Sequence, residues 1–314
     1  MLNKLVYFFL IVCLFALISC ASKKEITNAT SQTYTDFRAQ QKSFLSSDGN
    51  IKYIDKGQGE AILLLHGVPS SSWLYRKMID GLVTEGYRVI APDMLGFGNS
   101  DNPKGYDIYS EKNHAKRIIE LMNNLKIDTW THVTHDAGGL WTWALLENNP
   151  KRIDNLILLN TIIYEEGFNP PIRMKKGVFS KFAMWMYKNG VTTNMLLNGL
   201  FKKGLKKNDL TKTEIEGYKK PLREGKTRAM YYFFSKTCNE LPVNDNVVNS
   251  FNKPTAIIWG KHDNMLKFAP QQTKLIKTMN IEKENVHILD AKHFIQEEKP
   301  EEINKLILRF LKNL

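Results

Sequence analysis

The chain has 314 residues, of which 43% are hydrophobic and 11% aromatic, and its formal charge is +12. That is enough apolar material for one large core, or for a core with a second lobe, and the absence of a fixed-period repeat excludes a solenoid. The positive charge comes without zinc-ligand spacing, an aromatic RNA-binding motif or a basic arm, so nucleic acid is not expected as a partner and the lysines read as a solvated surface.

Residues 1–19 read as an export signal, with Lys4 as a short positive start and an almost unbroken apolar run from Leu5 to Ile18. Leu17-Ile18-Ser19-Cys20 resembles a bacterial lipobox, which implies cleavage before Cys20 and lipidation of its thiol. The expected location is therefore that of an exported, membrane-anchored bacterial lipoprotein. Ala21, rather than an acidic residue, after the cysteine points to the outer membrane, facing the periplasm. Residues 20–40 are rich in Ser, Thr, Lys, Asn and Gln and read as a flexible, lipid-anchored tether. Cys13 falls in the signal, so Cys238 alone remains for the body and an internal disulfide is excluded.

Strand patterns follow at 41–46 and 51–55 around the Asp48-Gly49 turn, then at 61–65, 87–91, 129–134, 153–160, 255–259 and 286–289. Helical spacing occupies 72–83, 108–126, 138–148 and 303–311. This alternation argues for an α/β fold with a mostly parallel central sheet covered by helices on both faces. Residues 164–245 break the alternation with helical patterns rich in Met, Phe, Tyr and Trp. They read as an inserted helical cap, which divides the core into 41–163 and 246–314. Ligands of such folds bind at the C-terminal edge of the sheet, beneath a cap so placed.

The most informative stretch is Val133-Thr134-His135-Asp136-Ala137-Gly138-Gly139, where a strand runs directly into a helix. A sharp strand-to-helix turn exposes one side chain and needs small neighbours. The exposed residue is usually Ser; here it is Asp136, and a carboxylate at that point can attack an electrophilic carbon and form a covalent ester.

With His66-Gly67-Val68-Pro69, Trp73 to Ile79 and the run from Val89 to Asp101, this stretch gives a chain that resembles the α/β-hydrolase fold family. The resemblance is to the haloalkane dehalogenase and epoxide hydrolase group, over nearly all of residues 45–314. It implies Asp136 as nucleophile, Asp263 in Trp259-Gly260-Lys261-His262-Asp263 as the acid, and His293 in Ala291-Lys292-His293-Phe294 as the base. They occur in the order this fold uses. His293 would activate a water and Asp263 would orient the imidazole. The backbone N–H groups of Val68 and Ala137 would form the oxyanion hole. Some relatives place the acid after the strand that ends here at Leu159; Asn160 and Thr161 stand there instead, which favours Asp263. Asp93 reads as a residue that holds loops together.

The resemblance implies a hydrolase acting on a small apolar substrate with water, and no metal or organic cofactor. Dehalogenases usually carry Trp after the nucleophile and Asn or Glu after the His-Gly pair, as halide donors; Ala137 and Val68 occupy those places. Halide displacement would then need a donor from the cap, with Trp185 as the candidate. Epoxide opening would use cap tyrosines, with Tyr164, Tyr218 and Tyr231 as candidates and Tyr187 and Tyr232 also available. A membrane-tethered binding protein on a hydrolase fold, without turnover, is the alternative from a different class.

Overall fold

The computed structural model describes residues 32–314. The expected signal, Cys20 and most of the expected tether lie outside these residues. Residues 33–314 form one compact unit built on an eight-stranded sheet in the order β1-β2-β4-β3-β5-β6-β7-β8. The strands are β1 (Lys42–Ser46), β2 (Gly49–Lys56), β3 (Ala61–Leu65), β4 (Arg88–Asp93), β5 (Trp130–Asp136), β6 (Ile153–Thr161), β7 (Thr255–Gly260) and β8 (Val286–Leu289). Strand β2 runs antiparallel to both β1 and β4, and every other pairing is parallel.

Strands β3 and β6 carry continuous apolar runs because both faces are covered: Ile62 to Leu65 and Leu156 to Leu159 are all fully buried. Between the strands lie α2 (Arg76–Thr84), α3 (Glu111–Asn124) and α4 (Gly138–Asn148), and the chain ends in α12 (Pro300–Lys312). The step from β3 to β4 moves one way across the sheet, and the step from β4 to β5 moves the other way. Right-handed crossovers therefore place α2 and α3 on opposite faces; α12 packs on α2 and α4 packs on α3. The reversal also opens a crevice at the C-terminal ends of β3 and β5. Val68 and Asp136 stand at those two ends, so topology alone locates the site.

Between β6 and β7 the chain forms α5 (Val178–Met186), α6 (Gly190–Gly204), α7 (Lys212–Arg223), α8 (Arg228–Tyr232) running into a π-helical turn at Phe233–Thr237, and α9 (Asp245–Ser250). After β7 come α10 (Gln272–Thr278) and α11 (Ile295–Glu298). Helix α7 is clamped to the core. Arg76 binds Glu297 at 2.5 Å and Glu214 at 2.9 Å, Lys77 reaches both carboxylates, and the Tyr218 hydroxyl donates to Glu297 at 2.5 Å. Trp73 donates its indole N–H to the Glu214 carbonyl at 2.9 Å, and a Cβ on Gly217 would lie 2.2 Å from that nitrogen. Only glycine permits this approach.

The expected tether over 20–40 needs one correction. Tyr34–Ala39 forms a helix, α1, started by a capping box in which Thr33 and Asp36 satisfy each other's backbone N–H groups. Its aromatic side chains are what anchor it. Tyr34 and Phe37 are buried edge-on against Trp73, with ring centroids 5.3 and 5.2 Å away.

Candidate active site

Asp136 ends β5 with φ +52°, a left-handed conformation that Asp tolerates better than most residues. Its carbonyl is fixed by the Thr161 hydroxyl at 2.9 Å and the Ile162 N–H at 3.1 Å. The neighbouring glycines are required by contact. A Cβ on Gly67 would sit 2.3 Å from Asp136 Oδ1, one on Gly138 2.8 Å from the His66 carbonyl, and one on Gly139 2.3 Å from Thr161 Oγ1. Only 13% of the Asp136 side chain is exposed. Its two oxygens differ: Oδ1 accepts the Val68 N–H at 2.7 Å, while Oδ2 faces His293 Nε2 at 3.6 Å.

His293, buried on the loop between β8 and α11, presents Nδ1 to Asp263 Oδ2 at 2.9 Å. Asp263, just past β7, spends its other oxygen on the N–H groups of Met265 (2.8 Å) and Leu266 (3.0 Å). Its position is thus set by its own loop. Asp136, His293 and Asp263 therefore form one chain of contacts. His135, buried beneath them, holds the His293 carbonyl through Nε2 at 3.0 Å; burial, with His293 alongside, keeps it neutral, far below the ordinary imidazole value.

The electrostatics suit covalent chemistry. Burial raises the Asp136 carboxyl above its ordinary value, against the opposing effects of His293 and of the Ala137 and Val68 N–H groups. Burial alone would lower His293, but the Asp263 carboxylate, and then Asp136, raise it above the ordinary imidazole value. Burial pushes His66 down to about 4; as a neutral ring it accepts the Met94 N–H at 3.0 Å and ties the β3 loop to β4. Asp93 accepts from Ser72, Asn99 and Gln41, and so joins loops.

One contributor is missed by reading acids and bases alone. Asn160 donates to Asp263 Oδ2 at 2.6 Å and accepts the Gly260 N–H at 2.8 Å, which locks the acid against the end of β7. Its signal in the sequence is the amide in the place where some relatives put the acid.

Above Asp136 lies a cavity of about 270 Å³. Val68, Asp136 and His293 form its floor, and Phe168, Met195, Leu200, Met230 and Phe233 are among the apolar side chains of its walls. Besides Asp136 and His293, the polar side chains lining it are Tyr187, at the end of α5, and Lys203. Burial raises the Tyr187 hydroxyl, so it is a protonated donor at neutral pH.

The expected cap contacts lie elsewhere. Trp185 is 58% exposed and lines a separate surface hollow, together with Tyr231, whose hydroxyl accepts the Gly177 N–H at 3.0 Å. Tyr218 is committed to Glu297. Tyr164 packs under the Lys274 ammonium, 3.9 Å from its ring centre. Each is taken up by a neighbour its own helix or loop brings close.

The family pattern described as the alpha/beta hydrolase fold matches residues 60–300. A cis-3-alkyl-4-alkyloxetan-2-one decarboxylase from Shewanella oneidensis is 29% identical over 291 residues, covering 85% of this chain and 87% of its own. A haloalkane dehalogenase from Psychrobacter cryohalolentis is 27% identical, covering 84% of this chain and 88% of its own. Among solved structures, a point mutant of an epoxide hydrolase from Bacillus megaterium superposes with a TM-score of 0.67 at 25% identity, covering 86% of this chain and all of its own.

Proposed function

Because the chain belongs to the alpha/beta hydrolase fold family, we propose that it is a hydrolase that opens strained oxygen heterocycles on apolar substrates, epoxides first, through a covalent ester on Asp136. Oδ2 attacks a ring carbon in line, the C–O bond breaks, and its electron pair goes to the ring oxygen, which takes a proton from Tyr187. Water then attacks the ester carbonyl and gives a proton to His293, whose imidazolium Asp263 supports. The N–H groups of Val68 and Ala137 bind the resulting oxyanion. Collapse breaks the bond between the ester carbon and Oδ2, and the departing alkoxide takes the proton of the added hydroxyl, which completes the diol and restores the carboxylate. The proton held by His293 then returns through solvent to the Tyr187 phenolate.

The observation that carries this reading is the cavity wall. Its one hydroxyl among the described residues is Tyr187, and no Trp or Asn side chain lines it as a halide donor. A ring oxygen stays attached and needs a proton, which a tyrosine supplies; a departing halide needs N–H donors. Halide displacement by the same Asp136, His293 and Asp263 is the second reading, supported by the dehalogenase relative.

The test is mass spectrometry of a His293→Gln variant incubated with pooled epoxides and, separately, pooled haloalkanes. A hydroxyalkyl increment on the Asp136 peptide is expected. An alkyl increment would assign dehalogenation. No adduct from either pool on a folded protein would leave another substrate class or a non-catalytic binding protein. We also propose export and lipidation at Cys20; acyl chains on Cys20 as the first residue of the mature chain, absent from a Cys20→Ser variant, are the expected mass-spectrometric result.

A further inference from the structure

We propose that the outer face of the cap, formed by α5 and α6, docks on an anionic lipid bilayer. Helix α5 is packed inside out. Ser180 and Met184 face the interior, while Val178 and Phe179 are each 86% exposed and Phe182 stacks on Trp185 in solvent, 5.7 Å between ring centres. A helix at a protein surface ordinarily hides its apolar stripe. Val191 and Met195 continue the exposed apolar surface onto α6.

Charge identifies the occupant. From Gly167 to Asn208 the sequence carries nine lysines and arginines and no Asp or Glu; Arg173 and Lys206 pair with Glu165 and Asp290 outside this stretch and Lys203 lines the cavity, while Lys181 and Lys188 stand beside Trp185. Apolar and aromatic tips set among lysines are the composition of an interfacial helix, which places its rings at headgroup depth while its cations meet anionic lipid. A second copy of the same face would set Lys181 and Lys188 against their own copies, with Glu224, already paired with Arg38, as the acid of the hollow.

The start of the described chain gives an independent argument. Arg38 of α1 binds Glu224 at 2.7 Å, and Glu224 lines the same hollow as Trp185, Lys181 and Lys188. The chain therefore enters the fold beside this face, and Cys20, the proposed lipid attachment point, precedes it in sequence. Ile172 and Met195 are exposed and also line the cavity above Asp136. An apolar substrate dissolved in the bilayer would thus reach the cavity from the docked face. This last step rests on the catalytic reading of Asp136; docking itself does not.

Trp185 reports on docking. Of the six tryptophans, the other five are at most 4% exposed, so lipid-borne bromine would quench Trp185 almost alone. The full chain would be reconstituted into vesicles of phosphatidylcholine and phosphatidylglycerol with brominated acyl chains, and the floated fraction read against unbrominated vesicles. Expected are loss of most of the Trp185 emission and its recovery in a Phe179→Asp/Phe182→Asp variant that keeps its circular dichroism. Lys181→Ala should shift the ratio of docked to undocked protein about fivefold toward undocked. Floated protein with unquenched Trp185, or failure to float, would overturn the proposal. A concentration-dependent blue shift without lipid would assign the face to self-association instead. Diol formation from a water-soluble epoxide, measured in parallel, tests the catalytic reading separately.

Discussion

The floor and the roof of the cavity are built on opposite plans. The floor is polar and over-determined: Asp136, His293 and Asp263 are each held by backbone groups or by buried partners such as Asn160 and His135. The roof is apolar on its inner side, with Tyr187 and Lys203 as its polar members, and is fixed to the core at α7 while α5 turns apolar side chains to solvent. The difference separates two tasks. Chemistry needs atoms held to within tenths of an ångström, whereas substrate choice needs shape and a single well-placed donor.

Four measurements would break or sharpen this contrast. The largest effect is expected on the floor. Asp136→Asn should abolish ester formation and turnover by roughly 10⁴-fold or more, while raising thermal stability, because it removes a carboxylate whose burial disfavours its charge. A variant that lost both activity and stability would argue that the floor is scaffold. At the clamp between floor and roof, Arg76→Ala leaves Lys77 as the one cation paired with Glu297 and Glu214 among the described residues. It should cost about 3 kcal/mol in chemical denaturation, since it removes one partner of a buried ion pair. On the roof, Tyr187→Phe should slow epoxide opening about 10²-fold in single-turnover kinetics and leave hydrolysis of the ester unchanged. Equal loss in both steps would remove Tyr187 as the proton donor.

The fourth measurement is the pH profile of ester hydrolysis. His293 must be neutral to accept a proton. Its pKa is raised by Asp263, so hydrolysis should fail as pH drops through a value above the ordinary 6.5, and the ester should accumulate below it. Asp263→Asn removes the main raising influence and should move this acid limb to lower pH while slowing the step. An acid limb that does not move would separate the two residues.

The same contrast explains what could be read from the sequence. Asp136 ends a strand, and Asp263 and His293 stand a few residues past theirs. Because parallel strands bring their C-terminal ends to one edge, being near a strand end in sequence becomes being near the site in space. The roof has no such rule. Helical spacing gives the period of an apolar stripe but not what the stripe meets, so Tyr164, Trp185, Tyr218 and Tyr231 carried the same signal as Tyr187 while each found a partner elsewhere. The α1 helix was hidden for another reason. Six residues show less than two turns of periodicity, and what fixes them is a distant tryptophan.

Under the proposed mechanism the unequal oxygens of Asp136 would give the protein an isotopic memory. In the proposed mechanism, with Oδ1 held on the Val68 N–H, the attacking oxygen would always be Oδ2, and it would leave in the product when water attacks the ester carbon. In ¹⁸O-water the first diol released per enzyme should carry ordinary oxygen taken from the protein. The restored carboxylate then holds the heavy atom on its reactive side, so the second diol should carry almost all of it. A carboxylate free to flip between turnovers would deliver only about half the label. The isotope ratio of the second product therefore records, turn by turn, whether a single backbone hydrogen bond keeps its grip.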